Sequence, residues 1–529
     1  MHRSDVLVLG SGLAGLYFAL EVAERHSVTL LTKTVPESSN TQWAQGGISA
    51  VFDEDDSVAS HVDDTLRVGA GLCHRDMVEH AVELAPALVE RLANVYGVRF
   101  DRLPDADRFA LGREGGHSHR RVVHHLDTTG AEIVRGLLAA AQRHPNIRIL
   151  PHQMVIDLLS WSKVDGSRGC FGAYSLDVPS GQVHSHVADV TLLATGGAGK
   201  IYRYTSNPDV ATADGVAMAY RIGATVGNLE FMQFHPTCLF HPGAGSFLVS
   251  EAVRGEGGIL RRKDGSALMD GRHPMGSLAP RDVVAREIDG ELKRTGEPCV
   301  FLDVTHLDGD FVIKRFPAIH RRCLELGIDM RTQPIPVVPA AHYMCGGVQV
   351  DTRGRTDVPG LLAAGEVALS GMHGACRLAS NSLLEAVVLA AGAAEICDEF
   401  RRSAPSHVAQ WNDGDTVDSD EAVMVSANWG EVRAAMWNFV GIVRSNKRLE
   451  RAKRRIELIR EEIREYYQRH RVTRDLLELR NISLAGHLVI ECARRRLESR
   501  GLHYNLDYPD SEPAFARDTL LAKRQGAVP

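Results

Sequence analysis

Arg377 lies in a polar segment, residues 371–385, whose composition is typical of an anion-binding loop. Small residues flank the arginine, and Ser380, Asn381 and Ser382 follow it. These three residues predict the start of a helix, whose N-terminus favours negative charge. A guanidinium offers a fixed fork of donors that matches a carboxylate. Taken alone, the segment fits either a carboxylate-binding arginine or a helix-capping arginine in a structural ion pair.

Other arginines, histidines and glutamates gather in the middle of the chain and in one early segment. These polar segments are residues 113–119, 228–237, 250–257, 279–282 and 339–347. Together they form a set that suits a substrate with two carboxylates. Each residue alone has an ordinary alternative. A lone His235 before a proline is usually a hydrogen-bonded core or turn histidine, and Arg254, three residues after Glu251, is usually a helix-surface pair.

The elements that must position these groups begin at the N-terminus. Residues 5–9 predict a buried parallel strand, which a glycine-rich turn, an apolar-periodic helix and a second strand follow. In such a turn Gly10 makes the bend, Gly12 lets the backbone approach a pyrophosphate, and Gly15 allows close helix–strand packing. The order strand, turn and helix therefore predicts a dinucleotide-binding unit.

The end of the second strand departs from the NAD-binding pattern. Thr32 and Lys33 stand where an acidic residue would bind the ribose hydroxyls. This weakens a generic NAD interpretation and leaves the identity of the dinucleotide to other features. Further glycine-rich segments, residues 41–47, 194–198 and 361–366, lie far apart in the sequence. Their separation implies a discontinuous nucleotide-binding domain.

We expect an α/β protein of three domains, because 529 residues exceed what one hydrophobic core usually organises. The predicted bounds are 1–229 and 344–405 for the nucleotide-binding domain, 230–343 for an inserted domain and 420–529 for a helical domain. Residues 403–420 are the best linker candidate. In residues 444–467 apolar side chains recur every three or four positions among charged ones, which predicts an amphipathic helix. Its apolar positions are Leu449, Ala452, Ile456, Ile459 and Ile463.

Composition excludes several classes of protein. A net charge of -7 argues against binding to nucleic acid, and no apolar run approaches the roughly 20 residues that span a bilayer. We find no export signal and expect a cytoplasmic protein. The nine cysteines contain no Cys-x-x-Cys pair, so neither zinc nor an iron–sulfur cluster is expected. The histidine-rich run at His117, His119, His124 and His125 matches no metal motif, so no metal site is predicted.

Taken together, these segments resemble the flavoprotein superfamily of succinate dehydrogenase, fumarate reductase and L-aspartate oxidase. The resemblance covers essentially the whole chain and is greatest to the L-aspartate oxidase branch. It implies a Rossmann-like FAD-binding domain, an inserted α+β capping domain and a C-terminal helical domain. The residues it assigns to FAD are Gly10, Ser11, Gly12, Leu13, Ala14, Gly15, Lys33, Asn40, Thr41, Gln42, Trp43, Ala44, Gln45, Gly46, Gly47, Asp214, Glu366, Ser382 and Leu383.

The same resemblance implies roles for the polar segments. His235, His342 and Arg377 would hold the substrate carboxylates, with Gln233 and Ser250 nearby. Two departures from the family motif occur here: Cys376 replaces an asparagine, and Ser250 replaces a threonine. Both replacements are small, so we expect the site to tolerate them.

Arg281 would be the acid/base residue beside the flavin. Because an arginine side chain has a pKa above about 12, it is an unusual agent of proton transfer. The resemblance implies a relay in which Glu251 and Arg254 exchange protons with Arg281. The alternative is an Arg281 that only neutralises substrate charge.

Two positions separate the oxidase from the dehydrogenase branch. Dehydrogenases generally attach FAD covalently through a histidine, and Asn40 stands at that position, so we expect non-covalent FAD. Glu114 stands where relatives restricted to dicarboxylates have a neutral residue, and would pair with a substrate ammonium. The alternative for Glu114 is an ordinary solvated loop glutamate.

The expected activity is the oxidation of L-aspartate to iminoaspartate, the first step of bacterial quinolinate and NAD synthesis. Oxygen or fumarate would accept the electrons, and transient contact with quinolinate synthase is a further expectation. The first alternative is a soluble flavoprotein subunit of fumarate reductase or succinate dehydrogenase. The second is a non-catalytic FAD-binding scaffold whose helical tail is its working surface.

Overall fold

The computed structural model describes residues 1–104, 108–162, 168–244, 247–400, 408–419 and 421–523. Helices within these ranges are α1 (Leu13–Val22), α2 (Val58–Val68), α3 (Arg75–Asn94), α4 (Thr129–Arg143), α5 (Asp214–Arg221), α6 (Glu251–Gly255), α7 (Arg281–Thr295), α8 (Gly309–Arg315), α9 (Pro317–Glu325), α10 (Asn381–Glu395), α11 (Ala422–Phe439), α12 (Asn446–Arg469) and α13 (Arg474–Arg495).

The strands of the same ranges follow in chain order. They are β1 (His2–Arg3), β2 (Val6–Leu9), β3 (Val28–Leu31), β4 (Ile48–Ser49), β5 (Leu111–Gly112), β6 (Val122–Val123), β7 (Ile147–Leu150), β8 (Gln153–Ser162), β9 (Arg168–Asp177), β10 (Val183–Val187), β11 (Val190–Leu193), β12 (Val226–Gly227), β13 (Met232–Leu239), β14 (Ile259–Arg261), β15 (Val300–Asp303), β16 (Ile335–Met344), β17 (Gly347–Gln349), β18 (Leu361–Ala363), β19 (Ala368–Leu369), β20 (Val443–Arg444), β21 (Tyr504–Asn505) and β22 (Leu520–Leu521).

A five-stranded parallel sheet, in the order β18-β11-β2-β3-β7, organises the nucleotide-binding part. The predicted strand, turn and helix at the N-terminus are confirmed as β2, the glycine turn and α1. Gly10 has a φ of 112°, and a Cβ there would lie 2.2 Å from the carbonyl oxygen of Ala194 on the neighbouring strand end. A Cβ on Gly15 would lie 2.1 Å from the oxygen of Gly10. Only glycine therefore permits this approach of helix and sheet.

The inserted segment has a second sheet and a hydrophobic core of its own. Its strands are antiparallel in the order β13-β16-β15-β14. Its core contains side chains from Leu239 to Val337 and is separate from the core around the parallel sheet. The exact domain bounds stay a prediction, and the proposed boundary at residue 405 lies outside the described residues, as does part of the candidate linker 403–420.

Helices α11, α12 and α13 pack together after the linker candidate. The amphipathic prediction for α12 is confirmed, because its buried residues are Leu449, Ala452, Ile456, Ile459 and Ile463. The helix starts at Asn446 because the hydroxyl of Ser445 accepts the backbone N–H of Arg448 as an N-cap. Across the described ranges, no helix combines the length and apolar character that a membrane span requires.

Candidate active site

One elongated cavity joins the N-terminal glycine turn to the inserted segment. It begins at Gly10 and Gly12, passes the loop 38–47, and ends among Glu114, Arg281 and Arg377. Its walls come from the carboxyl ends of the parallel strands, the start of α10 and the strands β13 and β16. Such a crevice at the carboxyl edge of a parallel sheet is the usual binding place for a dinucleotide.

The glycine-turn end suits a pyrophosphate and a ribose. Gly12, the N-cap of α1, makes no side-chain cap hydrogen bond, and the start of this helix lines the cavity, where a helix N-terminus favours an anionic group. The hydroxyl of Thr41 accepts the N–H of Leu13 at 3.1 Å. Lys33 Nζ lies 2.8 Å from both Asp214 and Glu478, so this cation is held between α5 and the tail helix α13.

A hydrogen-bonded pair of side chains, Asn40 and Glu366, lines the cavity and links two glycine-rich segments. Asn40 Nδ2 donates to Glu366 Oε2 at 2.8 Å, and Met344 N donates to the other oxygen at 3.0 Å. Burial raises the pKa of Glu366 to about 7, although both donors oppose the rise. The Oδ1 atom of Asn40 is buried without a hydrogen-bond partner. The pair therefore offers a free acceptor and a carboxyl that titrates near neutrality.

Arg377 lies at the far end of the cavity with only neutral partners. Its Nη1 donates to Ser382 Oγ at 2.7 Å, and its guanidinium lies 4.6 Å from the centroid of the Tyr343 ring. The side chain is 4% exposed, and no carboxylate of the described residues forms an ion pair with it. Burial, and then the charge of Arg281, lowers its pKa. A buried cation without an anion is costly, so the arrangement suits an anionic ligand.

Gln233 joins the two arginines of the site. Its Oε1 accepts Arg281 Nη1 at 3.0 Å and Arg377 Nε at 3.2 Å, while its Nε2 donates to the backbone oxygen of Arg377 at 2.9 Å. Gln233 does not line the cavity. Its contacts support positioning of both arginines, and its assignment to the substrate stays a prediction.

Glu251 joins a second set of arginines at the start of α6 and α7. Its Oε2 lies 2.5 Å from Arg281 Nε, and its Oε1 lies 2.9 Å from Arg254 Nη2. Burial alone would raise the pKa of Glu251, but the two guanidinium groups lower it to about 2. The expected surface alternative for Arg254 is wrong, because Arg254 and Glu251 are 1% and 2% exposed. Arg254, Glu251 and Arg281 thus form a continuous row of charged groups. Glu251 and Arg281 line the cavity, and Arg254 lies behind them.

His235 and His342 face each other on β13 and β16, with ring centroids 5.1 Å apart. The strand pairing slips between Gln233 and Phe234, and His342 is the extra residue on β16 at this bulge. A bulge re-aims a side chain that regular pairing would point elsewhere. Burial and the nearby Arg281 hold the pKa of both imidazoles well below the usual range, so both rings are neutral.

The hydrogen bonds of His235 fix its tautomer. The backbone N–H of Thr237 donates to Nδ1 at 3.2 Å, so the proton of the neutral ring lies on Nε2. That Nε2 is buried without a partner among the described residues. It is therefore a donor that is available to a carboxylate in the cavity.

Glu114 lies in the loop between β5 and β6 and is 5% exposed, so the alternative of a solvated loop glutamate is wrong. The hydroxyl of Ser380 donates to its Oε2 at 2.6 Å. Burial raises the pKa of Glu114, which the charge of Arg281 partly opposes. Glu114 and the arginines line one cavity, so an anion and cations face the same ligand.

Comparison with known proteins finds relatives along almost the whole chain. The profile of the FAD binding domain family matches residues 5–383, and that of the fumarate reductase flavoprotein C-terminal family matches residues 429–528. L-aspartate oxidase of Pseudomonas aeruginosa is 50% identical over 98% of this chain and 98% of its own length. L-aspartate oxidase 1 of Ralstonia nicotianae is 53% identical over 96% of each.

The chain belongs to the L-aspartate oxidase family of FAD-dependent oxidoreductases.

The fold extends to the wider superfamily. A solved structure of a variant of E. coli quinol fumarate reductase has a TM-score of 0.87 and 29% identity, covering 97% of this chain and 93% of that one. The predicted α/β class with an FAD-binding domain and a helical C-terminal region is therefore confirmed.

Within this family member, the cavity contains most of the residues that the sequence assigned. Those that line it are Gly10, Ser11, Gly12, Leu13, Ala14, Lys33, Asn40, Thr41, Trp43, Ala44, Gln45, Gly46, Gly47, Glu114, Asp214, His235, Ser250, Glu251, Arg281, His342, Glu366, Arg377, Ser382 and Leu383. Those that do not are Gly15, Gln42, Gln233 and Arg254. Ser250, besides lining the cavity, caps α6 by accepting the N–H of Ala252 at 3.2 Å.

Sequence reasoning missed several contacts that hold the site residues, including one made by Ser380, which it predicted only as part of a helix start. Ser206 lies 2.7 Å from His342 Nδ1, Tyr343 lies beneath Arg377, and Ser380 bonds Glu114. Asn481 of α13 donates to Asp214 at 2.8 Å. None of these residues belongs to a spacing pattern, because each acts through a neighbour that only the folded chain brings near.

The histidine-rich run is dispersed in the structure. His117 Nε2 bonds the oxygen of Ala379 at 2.8 Å, whereas His124 and His125 lie 3.1 and 3.3 Å from the carboxylate of Asp101. In the part of the chain that the structure describes, no group of three or more His, Cys, Asp or Glu side chains could hold a metal.

Proposed function

We propose that this protein oxidises L-aspartate to iminoaspartate. The observation that carries the proposal is the position of Glu114, in one cavity with Arg281, Arg377 and His235. At neutral pH L-aspartate has two carboxylates and one ammonium, and this cavity offers guanidinium and imidazole donors together with the carboxylate of Glu114, which forms no ion pair among the described residues. Succinate and fumarate would leave that carboxylate unpaired, which is unfavourable in a buried site.

The carboxylates would bind to Arg377, Arg281 and the two histidines. Neutral histidines donate hydrogen bonds without adding charge, and the free Nε2–H of His235 is already directed by its tautomer. The substrate ammonium would lie at Glu114. Oxidation removes a hydride equivalent from the α-carbon and a proton from the amine, and a Glu114 whose pKa burial raises suits contact with that amine.

The residues fit FAD. The start of α1, the cation Lys33 and the free acceptor on Asn40 all line one cavity, and groups of these types would suit a pyrophosphate, a ribose and a flavin. FAD, when bound, would supply the redox chemistry: it would accept the hydride and pass the electrons to oxygen or fumarate. We propose that it is bound non-covalently, because the amide of Asn40 is no nucleophile and is bonded to Glu366 at 2.8 Å.

In the reverse direction, fumarate reduction needs a proton donor at the carbon next to the hydride acceptor. Arg281 lies in the cavity 2.5 Å from Glu251, whose other oxygen lies 2.9 Å from Arg254, and this row of contacts supports a relay. Because the pKa of Glu251 is lowered to about 2, Glu251 is a carboxylate in the resting site, and charge neutralisation is the alternative role of Arg281.

Anaerobic mixing of the purified holoenzyme with L-aspartate tests the substrate. We expect bleaching of the flavin absorbance near-stoichiometrically with L-aspartate and none with succinate at the same concentration. Bleaching by succinate alone would support the fumarate reductase or succinate dehydrogenase alternative, and no bleaching by any dicarboxylate would support the scaffold. Acid precipitation tests the linkage, since non-covalent FAD is released into the supernatant.

The remaining expectations concern the setting of the enzyme. Iminoaspartate is an imine that water hydrolyses, so an enzyme that consumes it would profit from contact with its source. We propose the cytoplasm as the location and transient contact with quinolinate synthase, and co-purification from cross-linked cells tests both.

A further inference from the structure

We propose that Ser380 determines substrate specificity by positioning Glu114, while Ser382, two residues later, positions Arg377. Two serines at the start of one helix would thus orient different groups. Ser380 would orient the carboxylate that meets the substrate ammonium, and Ser382 would orient the guanidinium that meets a substrate carboxylate. The inference rests on the proposed function, because it assumes that Glu114 meets the substrate ammonium.

The hydroxyl of Ser380 has a fixed direction. The backbone N–H of Gly47 donates to its Oγ at 3.3 Å, and the carboxylate of Glu114 lies 2.6 Å away on the other side. Because a carboxylate accepts and an N–H donates, the hydroxyl proton points to Glu114. A hydrogen bond to a charged group is stronger and shorter than a neutral one. The bond therefore orients Glu114 and favours its anionic form.

The backbone at Ser380 is held in a conformation that serine rarely adopts. Its φ is 61° and its ψ is -2°, in the left-handed region that favours glycine. The next residue, Asn381, anchors this turn, because its amide accepts Ser49 Oγ at 2.6 Å and bonds His61 Nε2 at 2.9 Å. A strained residue that its surroundings hold in place points to a function of its side chain. Here that side chain contacts Glu114.

Gly46 closes the opposite side of Glu114. A Cβ on Gly46 would lie 2.5 Å from Glu114 Oε1, so only glycine leaves room for the carboxylate. Glu114 is thus confined between the hydroxyl of Ser380 and the backbone of the loop that lines the dinucleotide cavity. This confinement is what a selective contact needs, since a mobile carboxylate would pair with Arg281 or turn away from the substrate.

Ser382 provides the matched comparison. Its Oγ accepts Arg377 Nη1 at 2.7 Å, and Arg377 would bind the carboxylate that L-aspartate, succinate and fumarate share. Loss of the Ser382 hydroxyl should therefore affect all dicarboxylates alike. Loss of the Ser380 hydroxyl should affect only substrates with an ammonium.

The test measures Ser380→Gly and Ser382→Ala holoenzymes in two assays, L-aspartate oxidation and fumarate reduction with a reduced dye. For Ser380→Gly we expect kcat/KM for L-aspartate to fall about 10- to 100-fold, as for the loss of a hydrogen bond to a charged group. The kcat/KM for fumarate should change less than about threefold. For Ser382→Ala both values should fall together.

A pH profile separates positioning from a merely structural role. The Ser380 bond lowers the pKa of Glu114 against the effect of burial. Without it, the acid limb of kcat/KM for L-aspartate should move to higher pH, because Glu114 then ionises later. FAD content and thermal midpoint should stay close to those of the parent, since glycine suits the backbone at this position. Ser380→Ala repeats the test in case the glycine variant does not fold.

One outcome would overturn the inference. It is an unchanged ratio of the two kcat/KM values in Ser380→Gly, whether both values stay at those of the parent or both fall by the same factor. If the parent protein itself does not oxidise L-aspartate, the proposed function fails first and the inference falls with it. Parent activity combined with an unaffected variant overturns the inference alone.

Discussion

The guanidinium of Arg281 and the carboxylate of Glu251 lie 2.5 Å apart, and both are buried at the edge of the substrate cavity. The two residues begin consecutive helices of the inserted segment, since Glu251 is the first residue of α6 and Arg281 the first of α7. Arg254 holds the second oxygen of the same carboxylate. The ion pair with Glu251 therefore fixes the position of the Arg281 guanidinium on one side. The other side of the guanidinium is available to a ligand.

Arg281→Leu separates proton transfer from charge neutralisation. If Arg281 donates the proton in fumarate reduction, kcat should fall by about 10²- to 10⁴-fold, the usual contribution of a positioned acid. If it only neutralises charge, KM should rise while kcat changes little. FAD absorbance should be retained in both cases. Arg286→Leu, on the same helix and paired with Asp282 at 3.1 Å, is the control and should leave both constants near those of the parent.

Arg377→Lys should weaken binding of all dicarboxylates. Lysine keeps the charge but loses the planar fork and the stacking on Tyr343, 4.6 Å away. We expect a loss of about 1.5–3 kcal/mol in kcat/KM, about 10- to 150-fold, for L-aspartate and fumarate alike. Arg353→Lys on the surface is the control. A loss confined to L-aspartate would contradict the assignment of Arg377 to the shared carboxylate.

Lys33→Met should weaken both FAD retention and the fold. The lysine lies 2.8 Å from each of two largely buried carboxylates, those of Asp214 and Glu478, and its removal takes the cation from Asp214 and leaves Glu478 with Arg474 at 3.3 Å. Loss of one partner from a buried pair costs about 3–5 kcal/mol. Urea unfolding and FAD absorbance after gel filtration measure the two effects. Lys263→Met breaks an exposed pair with Glu297 and should leave both measurements near those of the parent.

Stability should fall as the pH is lowered from 7 to 4, in part through buried neutral histidines. Burial lowers the pKa of His61 to about 3 and that of His117 to about 4. In the unfolded chain a histidine has a pKa of about 6.5. Below that pH the unfolded state therefore binds more protons than the folded state and is favoured. Each such group adds up to about 1.4 kcal/mol per pH unit. Urea unfolding of His61→Asn should show a shallower decline than that of the control His80→Gln.

Much of the fold could be predicted from the sequence because it depends on residues that are close together in the chain. The glycine turn with Gly10 and Gly15 requires no knowledge of distant residues, since a strand, a tight turn and a helix follow one another along the chain. The buried side of α12 follows from helical periodicity alone. The resemblance added the set of charged residues, and most of them line one cavity.

The sequence by itself thus determined the fold class, the dinucleotide crevice and the residue types of the site. The tertiary structure decided how those residues act. It placed Gln233 between two arginines, made His342 the extra residue of a bulge, and oriented Glu114 through Ser380. The physical reason is that burial and hydrogen bonding between residues far apart in the chain set charge, tautomer and direction. The sequence shows which ionisable and polar groups are present. The low-dielectric environment that they share in the folded protein determines the charge, tautomer and orientation of each.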